Sequence, residues 1–174
     1  AVRVLPLARP IGDWSIKIEG RPYVPEENPN GDFQAVTPGY FQAMSLKLVR
    51  GRLLTDADRE DSMPAVVIND TMAARYWPGE DAVGKVLVNG NGPNELTVVG
   101  VVDDVHEESL EGDPGWQIYY PATQQNPSDA QLVIRSRVAP ATLGPTVLRA
   151  LRELNPLQPA AEFRPMRTIV DRAG

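Results

Sequence analysis

The chain has 174 residues, of which 42% are hydrophobic and 23% are charged, and its net charge is −6. This composition is typical of a globular protein, and the length suffices for one compact domain or two small intertwined lobes. The negative charge and the scattered Lys and Arg argue against a nucleic acid partner, because phosphate binding needs clustered basic side chains. The absence of cysteine excludes disulfides, thiol nucleophiles and thiolate metal sites.

Neither end of the sequence has the features of a free terminus. The chain starts without Met and without the layout of a secretory signal peptide, and its last helix candidate stops soon after it begins. No apolar run approaches the about 20 residues that cross a bilayer. We therefore expect the chain to be a domain of a longer polypeptide.

The first third of the chain predicts two strands and a short helix. Apolar and polar residues alternate over 13–20, and a second strand is predicted at 32–36. A helix is predicted over 39–46, where Tyr40, Phe41 and Met44 are spaced to face a core.

The middle of the chain predicts strands that flank a second helix. The segment 47–54 has a strand pattern that Gly51 interrupts, and 65–69 is a continuous apolar run typical of a buried strand. The helix that follows has Asn69 or Asp70 as its N-cap, since both side chains can accept a hydrogen bond from a first-turn N–H.

The last part of the chain mixes both kinds of element. The Gly- and Asn-rich tip within 88–105 is typical of a hairpin. The remaining predicted elements are a short strand at 116–121, a stronger strand at 130–138, an amphipathic helix at 141–156 with Leu143, Val147, Leu151 and Leu154 on one stripe, a strand at 160–164 and a truncated terminal helix.

Residues 79–85, GEDAVGK, match the G-x-x-x-x-G-K spacing of a nucleotide-binding P-loop. A P-loop follows a buried strand, opens a helix, and continues with a Ser or Thr that holds magnesium. Here the next residue is Val86, and Glu80 and Asp81 place negative charge where phosphate would lie. Because a helix is predicted before the segment and a strand after it, we predict a helix-to-strand corner without a phosphate site.

The sequence contains few candidate catalytic residues. His106 is its single histidine and lies in an acidic segment, where exposed histidines are common. The acidic segments 56–61 and 103–108 lack the spacing of an EF-hand calcium loop, so we predict that both are solvated turns. We predict no catalytic, cofactor-binding or metal-binding residue, and no cofactor.

Four aromatic residues lie at the ends of predicted elements, beside prolines: Trp77, Trp116, Tyr119 and Tyr120. Two interpretations stay open. The sequence favours the first, in which these side chains fill the seams between the two lobes. In the second, they form an exposed interaction surface, since Trp and Tyr are enriched at protein interfaces.

The order of several blocks resembles a known family. VTPGYFQAMSLKLVRGRLLTDADRED, AVVINDTMAARYWPGEDAVGKVL, TVVGVVDDV and IYYP follow one another in the chain. Together they resemble the MacB-like periplasmic core domain of ABC transporter permeases. The likeness is greatest to the duplicated-permease branch, whose permeases carry FtsX-like membrane segments. It covers essentially the whole chain.

The resemblance implies a two-lobed α+β fold. A porter-like βαβ lobe would comprise 1–35 plus 111–174, and an inserted mixed α/β lobe, called Sabre in the family, would comprise 36–110. Such a domain lies on the periplasmic side of the bacterial cytoplasmic membrane, within an integral membrane protein.

The resemblance also implies a function and a set of partners. The expected partners are the permease's own transmembrane helices, a cytoplasmic ATPase subunit or domain, a second permease copy or half, and a periplasmic partner protein. We predict a non-enzymatic domain that transmits ATP-driven motion of the membrane helices to a substrate or partner during export. The alternatives are a solute-binding module with a cleft between its lobes and a carboxylate-dependent hydrolase that uses Asp103, Asp104 and His106.

Overall fold

The computed structural model describes residues 13–22, 30–89, 95–105, 115–125, 131–156 and 163–165. Its helices and strands are, in chain order, β1 (Asp13–Ile18), β2 (Asn30–Val36), α1 (Gly39–Met44), β3 (Leu48–Gly51), β4 (Ala65–Asn69), α2 (Asp70–Tyr76), β5 (Val86–Asn89), β6 (Glu95–Val102), β7 (Gln117–Pro121), α3 (Ala122–Gln125) and α4 (Pro140–Leu154). The chain forms two compact units, Ala1–Val133 and Ile134–Gly174.

The first unit is built on one mixed sheet of seven strands, in the order β3-β6-β4-β7-β2-β1-β5. The pairs β2–β7 and β4–β6 are parallel, and the other neighbours are antiparallel. Because β5 also pairs with β6, six of the strands close into a ring, and β3 remains outside the ring as an edge strand. Closure removes free strand edges from most of the sheet.

Both faces of the central strands are buried. Every residue of β4 and of β7 is buried, and alternate side chains enter two different apolar clusters. Val66 and Ile68 pack with α2 in one cluster, whereas Ala65 and Val67 pack with α1 in the other. A strand covered on both faces reads as a continuous apolar run, which explains the sequence AVVI before Asn69.

Most elements of the first unit confirm the sequence predictions. The structure contains the predicted strands at β1, β2, β4 and β7, the predicted helices α1 and α2, and the antiparallel β5–β6 pair of the predicted hairpin. Tyr40 and Phe41 of α1 are buried, as their spacing predicts. β3 ends at Gly51, whose φ is 70°. The α+β class that the resemblance implies is also confirmed.

The predicted strand at 130–138 is wrong over its described part. Only Gln131 makes a β-bridge, and 132–138 contain no strand. The alternation of apolar residues is real, but Leu132 and Ile134 are 53% and 40% exposed. Alternation makes a strand only where a neighbouring strand accepts its hydrogen bonds, and 132–138 pair with none of the described strands.

The predicted lobe boundaries cut across the sheet. β1, β2 and β7 come from 1–35 plus 111–174, except for the last residue of β2, yet they share one sheet with the strands of 36–110. The two compact units divide instead after residue 133. The assignment of a porter-like lobe and an inserted Sabre-like lobe stays a prediction.

The second unit contains α4, which confirms the predicted amphipathic helix. Leu143, Val147 and Leu151 of the predicted stripe are half-buried, but Leu154 is 83% exposed, so the stripe ends before it. Gly144 is buried beneath the ring of Phe163, and a Cβ at this glycine would lie 2.9 Å from the ring. The predicted strand at 160–164 is wrong for 163–164, and its other residues and the terminal helix lie outside the described part.

Candidate functional site

Asn69 connects three segments of the first unit. It is the last residue of β4, it is fully buried, and it is the N-cap of α2. Its side-chain Oδ1 accepts hydrogen bonds from Met72 N at 3.3 Å and from Gln117 N at 3.0 Å. One amide oxygen therefore caps a helix and holds the first residue of β7.

The nitrogen of the Asn69 side-chain amide donates hydrogen bonds to two further segments of the chain. Nδ2 donates to Asp104 Oδ1 at 2.6 Å and to the Gly115 carbonyl at 2.9 Å. Asp104 also accepts from the Thr71 backbone N–H at 3.1 Å and from the Thr71 hydroxyl at 2.9 Å. We call Asn69, Thr71, Asp104 and Gln117 the Asn69 cluster. It joins the β4–α2 junction to the chain that follows β6 and to the start of β7.

Gln117 extends this network with its own side chain, which is fully buried. Its Oε1 accepts from the Tyr119 hydroxyl at 2.9 Å and from Val105 N at 3.4 Å, and its Nε2 donates to the Val105 carbonyl. Buried amides are costly unless both ends are hydrogen-bonded, and here both ends are used. The network therefore fixes backbone segments relative to one another.

The carboxylates proposed for hydrolysis have structural partners. Asp103 Oδ1 accepts from Lys47 N at 2.7 Å, and Asp103 N donates to the Lys47 carbonyl at 3.0 Å. Asp104 belongs to the Asn69 cluster. A carboxylate engaged in this way orders the backbone, which favours a structural role over a catalytic one. His106 lies outside the described residues.

The segment 79–85 is a helix-to-strand corner, as predicted. α2 ends at Tyr76 and β5 begins at Val86. Lys85 Nζ lies 2.6 Å from Glu80 Oε2, and its hydrogen bond holds the pKa of the Glu80 carboxyl below its usual value. The lysine of the apparent P-loop is therefore paired within its own loop. Gly79 and Gly84, at φ 77° and 87°, supply the turn conformations.

The acidic turn at 56–61 differs from the prediction, because it is not wholly solvated. The Asp58 side chain is 6% exposed and accepts from both terminal nitrogens of Arg52 at 2.8 Å. Its Oδ2 also accepts from the Thr55 backbone N–H at 2.8 Å. The Arg52 hydrogen bonds, with the Thr55 N–H, hold the pKa of the Asp58 carboxyl below its usual value. The turn is anchored to the domain by this ion pair, of which Asp58 is buried and Arg52 is 47% exposed.

Two residues of the short helix α3 hold the same turn from the other side. The Thr123 hydroxyl donates to the Asp58 carbonyl at 2.8 Å. Gln124 Nε2 donates to the carbonyls of Arg59 and Met63 at 3.0 and 3.2 Å. These bonds connect positions about 60 residues apart in sequence, so the turn is fixed relative to β7 and α3.

We expect Asp58→Asn to lower the free energy of unfolding by about 2 kcal/mol at neutral pH, because the charged hydrogen bonds with Arg52 are lost. The folded-state pKa of Asp58 lies below its unfolded value. The stabilisation is therefore present above about pH 4 and is lost as pH falls through the folded pKa. Urea unfolding over a series of pH values measures the difference between the wild type and D58N, which should shrink in acid.

Asp61→Asn is the matched control for D58N. Asp61 lies in the same turn, but its side chain is 81% exposed and lies 3.8 Å from Arg59. We expect D61N to change stability by less than about 0.5 kcal/mol at any pH. If the D58N difference stayed constant down to acid pH, the ion pair would not be its cause.

The four aromatic residues of the predicted interaction surface are mostly interior. Trp77 and Tyr120 are each 4% exposed and belong to the α2 cluster, whereas Tyr119 is fully buried in the α1 cluster. Trp116 is half-buried and packs edge-on against Tyr76, with ring centroids 5.3 Å apart. Burial accounts for three of the four as core residues, and an interface role for this set stays a prediction.

Metal-binding clusters and membrane-spanning helices are both absent from the described part of the chain. There, no group of three or more His, Asp or Glu side chains is placed to hold a metal ion. None of the helices described is long and apolar enough to cross a membrane.

The sequence pattern predicts Asn69 as a cap but does not single out Gln117 or Asp58. A signal for both amides exists, since Asn69 and Gln117 are directly attached to apolar runs that form buried strands. A polar residue at such a place needs internal partners. Asp58 has no comparable signal, because it lies in an acidic segment, TDADRED, that is typical of an exposed turn.

Family models connect this architecture to known proteins. The model of the MacB-like periplasmic core domain matches residues 9–154. The chain belongs to this family. Membership confirms the resemblance that the sequence blocks suggest, and it places the chain on the periplasmic side of the membrane, as a domain of an ABC transporter permease.

Two individual comparisons agree with the family. A macrolide export ATP-binding/permease protein MacB from Aggregatibacter actinomycetemcomitans is 36% identical over 76 residues, which are 44% of this chain. The matched part is only 11% of that relative's length. The crystal structure of the periplasmic region of MacB from Actinobacillus actinomycetemcomitans is similar with a TM-score of 0.59 at 19% identity, over 82% of this chain and 63% of that one.

Further solved structures share the fold of this MacB-like domain. The extracellular domain of the noncanonic ABC-type transporter YknZ from Gram-positive bacteria has a TM-score of 0.53 at 19% identity, over 85% of this chain and 76% of that one. A domain of a putative permease from Porphyromonas gingivalis has a TM-score of 0.52 at 15% identity, over 91% and 65% of the two chains. At these identities the likeness concerns the fold alone.

Proposed function

We propose that this domain is a non-catalytic body that transmits ATP-driven movement of a permease's membrane helices to a substrate or a periplasmic partner during export. The observation that carries the proposal is membership of the MacB-like periplasmic core domain family over residues 9–154. The assembly would include the permease's transmembrane helices, a cytoplasmic ATPase subunit or domain, and a second permease copy or half.

Transmission of movement requires a body that does not deform when one part is displaced. The first unit fits this requirement, because its ring of strands is closed and β4 and β7 are buried along their whole length. Packed cores respond to force as discrete units and deform little. The Asn69 cluster and the Arg52–Asp58 pair add polar connections that hold loops against the sheet.

The described carboxylates also fit a non-catalytic role. Asp58, Asp103 and Asp104 each accept hydrogen bonds from the domain's own backbone. Transmission of motion without a chemical step depends only on how contacts differ between two states of the assembly. Such a domain needs a shaped surface and rigidity.

Spin-label distances in the assembled permease test the transmission proposal. The chain has no cysteine, so Cys introduced in place of the exposed Arg59 and Arg75 provides unique labels within it. We expect the distance between the two labels to be the same with and without ATP. The distance from the label at position 75 to one in the second permease copy or half should change on ATP binding.

Either of two outcomes would contradict the proposal. If the distance between positions 59 and 75 changed with nucleotide, the first unit would deform and could not act as a stiff body. If both distances stayed constant while the ATPase turned over, the domain would not move with the ATP cycle. As a control, the labelled variant should keep the ATPase activity of the wild type, which verifies that the labels leave the assembly intact.

A further inference from the structure

Charge is divided unequally between the two units of the chain. Residues 134–174 contain seven arginines, no lysine and three acidic residues, which gives this unit a net charge of +4. Residues 1–133 contain ten basic and twenty acidic residues, a net charge of −10. The overall charge of −6 therefore hides a basic unit attached to an acidic one.

The basic unit has exposed arginines at and near α4. Arg137 lies before α4, and Arg149 and Arg152 lie on its second half, and all three are exposed. Apolar side chains are exposed among them, with Val138 at 50% and Leu154 at 83%. Val138 precedes α4 and Leu154 is its last residue, so each is a separate exposed aliphatic side chain near an exposed arginine in the sequence.

We propose that residues 134–156 form a surface that contacts the anionic headgroups of the membrane in which the permease lies. A guanidinium binds phosphate oxygens through two hydrogen bonds at once, and nearby aliphatic side chains can enter the boundary between headgroups and acyl chains. The inference rests on the proposed function, since a permease domain lies beside lipid. That setting, with the apolar side chains among the arginines, favours lipid over an acidic protein as the occupant.

Salt limits how far the negative charge of the acidic unit repels an anionic membrane. Charges more than a Debye length apart, about 10 Å at 0.1 M salt, are largely screened. The interaction therefore depends on the basic residues that reach the lipid surface, each of which strengthens binding to an anionic membrane about fivefold. The overall negative charge would weaken binding mainly at low salt.

Vesicle flotation of the 174-residue chain tests the proposal. We expect binding to vesicles of phosphatidylcholine mixed with phosphatidylglycerol, and none to phosphatidylcholine alone. Arg149→Gln with Arg152→Gln should weaken binding about 30-fold. The matched control, Arg59→Gln with Arg75→Gln, changes the net charge equally but in the acidic unit, and it should bind like the wild type. Circular dichroism verifies that both variants fold.

A third variant tests the apolar part of the surface. Leu154→Gln removes the most exposed aliphatic side chain of α4 and leaves its charge unchanged. It should bind phosphatidylglycerol vesicles more weakly than the wild type, while added salt weakens both proteins by the same factor. Equal binding by L154Q and the wild type would show that the contact is purely electrostatic, which contradicts the proposed insertion.

Several outcomes would contradict the proposal that this surface binds lipid. These are no binding to phosphatidylglycerol vesicles, equal losses in the two charge variants, or equal binding to both vesicle types. Retention on immobilised polyglutamate without vesicle binding would assign the surface to an acidic protein instead. Because vesicle binding requires no ATPase, failure here leaves the transmission proposal standing, and failure of the spin-label test leaves this result unaffected.

Discussion

Asn69→Ala is expected to lower the free energy of unfolding by about 3 kcal/mol at neutral pH. Loss of the cap on α2 accounts for about 1 kcal/mol. The remainder comes from the partners left behind, because Gln117 N loses the acceptor at 3.0 Å and Asp104 loses the donor at 2.6 Å. A buried polar group without its partner costs about 1–3 kcal/mol. Urea denaturation measures the change.

Two further variants separate the cap from the rest of the Asn69 cluster. Asn69→Ser keeps an oxygen that can accept from Met72 N, but it is too short to reach Asp104 and Gly115. We expect N69S to recover about 1 kcal/mol of the loss. Ala74→Gln, at an exposed position of α2, should change stability by less than about 0.5 kcal/mol. Full recovery in N69S would show that the cluster contributes nothing beyond the cap.

The Asn69 cluster shows which part of a site local sequence can predict. The cap was predictable, because an amide before a helix start bonds to a residue three positions away. The bonds to Asp104 and Gly115 span 35 and 46 positions. They exist only because the sheet places the ends of β4, β6 and β7 close together. The local sequence pattern does not predict that arrangement.

The same distinction explains where the sequence predictions failed. The pattern at 130–138 satisfies the local rule for a strand, but 132–138 pair with no described strand of the sheet. The acidic turn at 56–61 reads as solvated, yet Asp58 is buried because Arg52 from the end of β3 reaches it. The alternation at 130–138 does not show whether a strand will pair with it, and the composition of 56–61 does not show that Asp58 bonds to a residue six positions away. The strands β4 and β7 were predictable because burial on both faces leaves its own apolar signature.

The family resemblance supplied information of a different kind. Ordered blocks of sequence identified the type of domain. The periodicity and composition of the sequence alone do not identify it. The boundary between the two predicted lobes was not part of that signal. Strands pair across that boundary, from β7 to β4 and from β1 to β5, and the assignment of the two lobes stays a prediction.

Gly100→Ala is the second substitution for which we expect a large effect, a loss of about 3 kcal/mol. A Cβ at Gly100 would lie 2.0 Å from the Arg52 carbonyl oxygen and 3.0 Å from its carbonyl carbon. Both are backbone atoms, so β3 would have to move away from β6. That movement would strain the hydrogen bond from Arg52 N to Val99 O at 2.9 Å. Urea denaturation measures the loss, and hydrogen exchange at the Arg52 amide locates it.

The control for G100A is a glycine where the same methyl group meets nothing. Gly39 is the first residue of α1, and a Cβ added to it would have no atom within 4 Å. Gly39→Ala should therefore raise stability by about 0.5 kcal/mol, since alanine favours the helix and restricts the unfolded chain. Opposite signs for the two substitutions would assign the G100A loss to the close approach of β3. Two losses of similar size would contradict that assignment.

A double variant tests whether β3 carries the acidic turn with it. G100A displaces the Arg52 backbone, and D58N removes the partner of the Arg52 guanidinium. If both act through the position of Arg52, the combined loss should be smaller than the sum of the two by about 1 kcal/mol. Additive losses would mean that the side chain of Arg52 keeps its ion pair while its backbone moves. The edge strand would then be mechanically separate from the turn that it anchors.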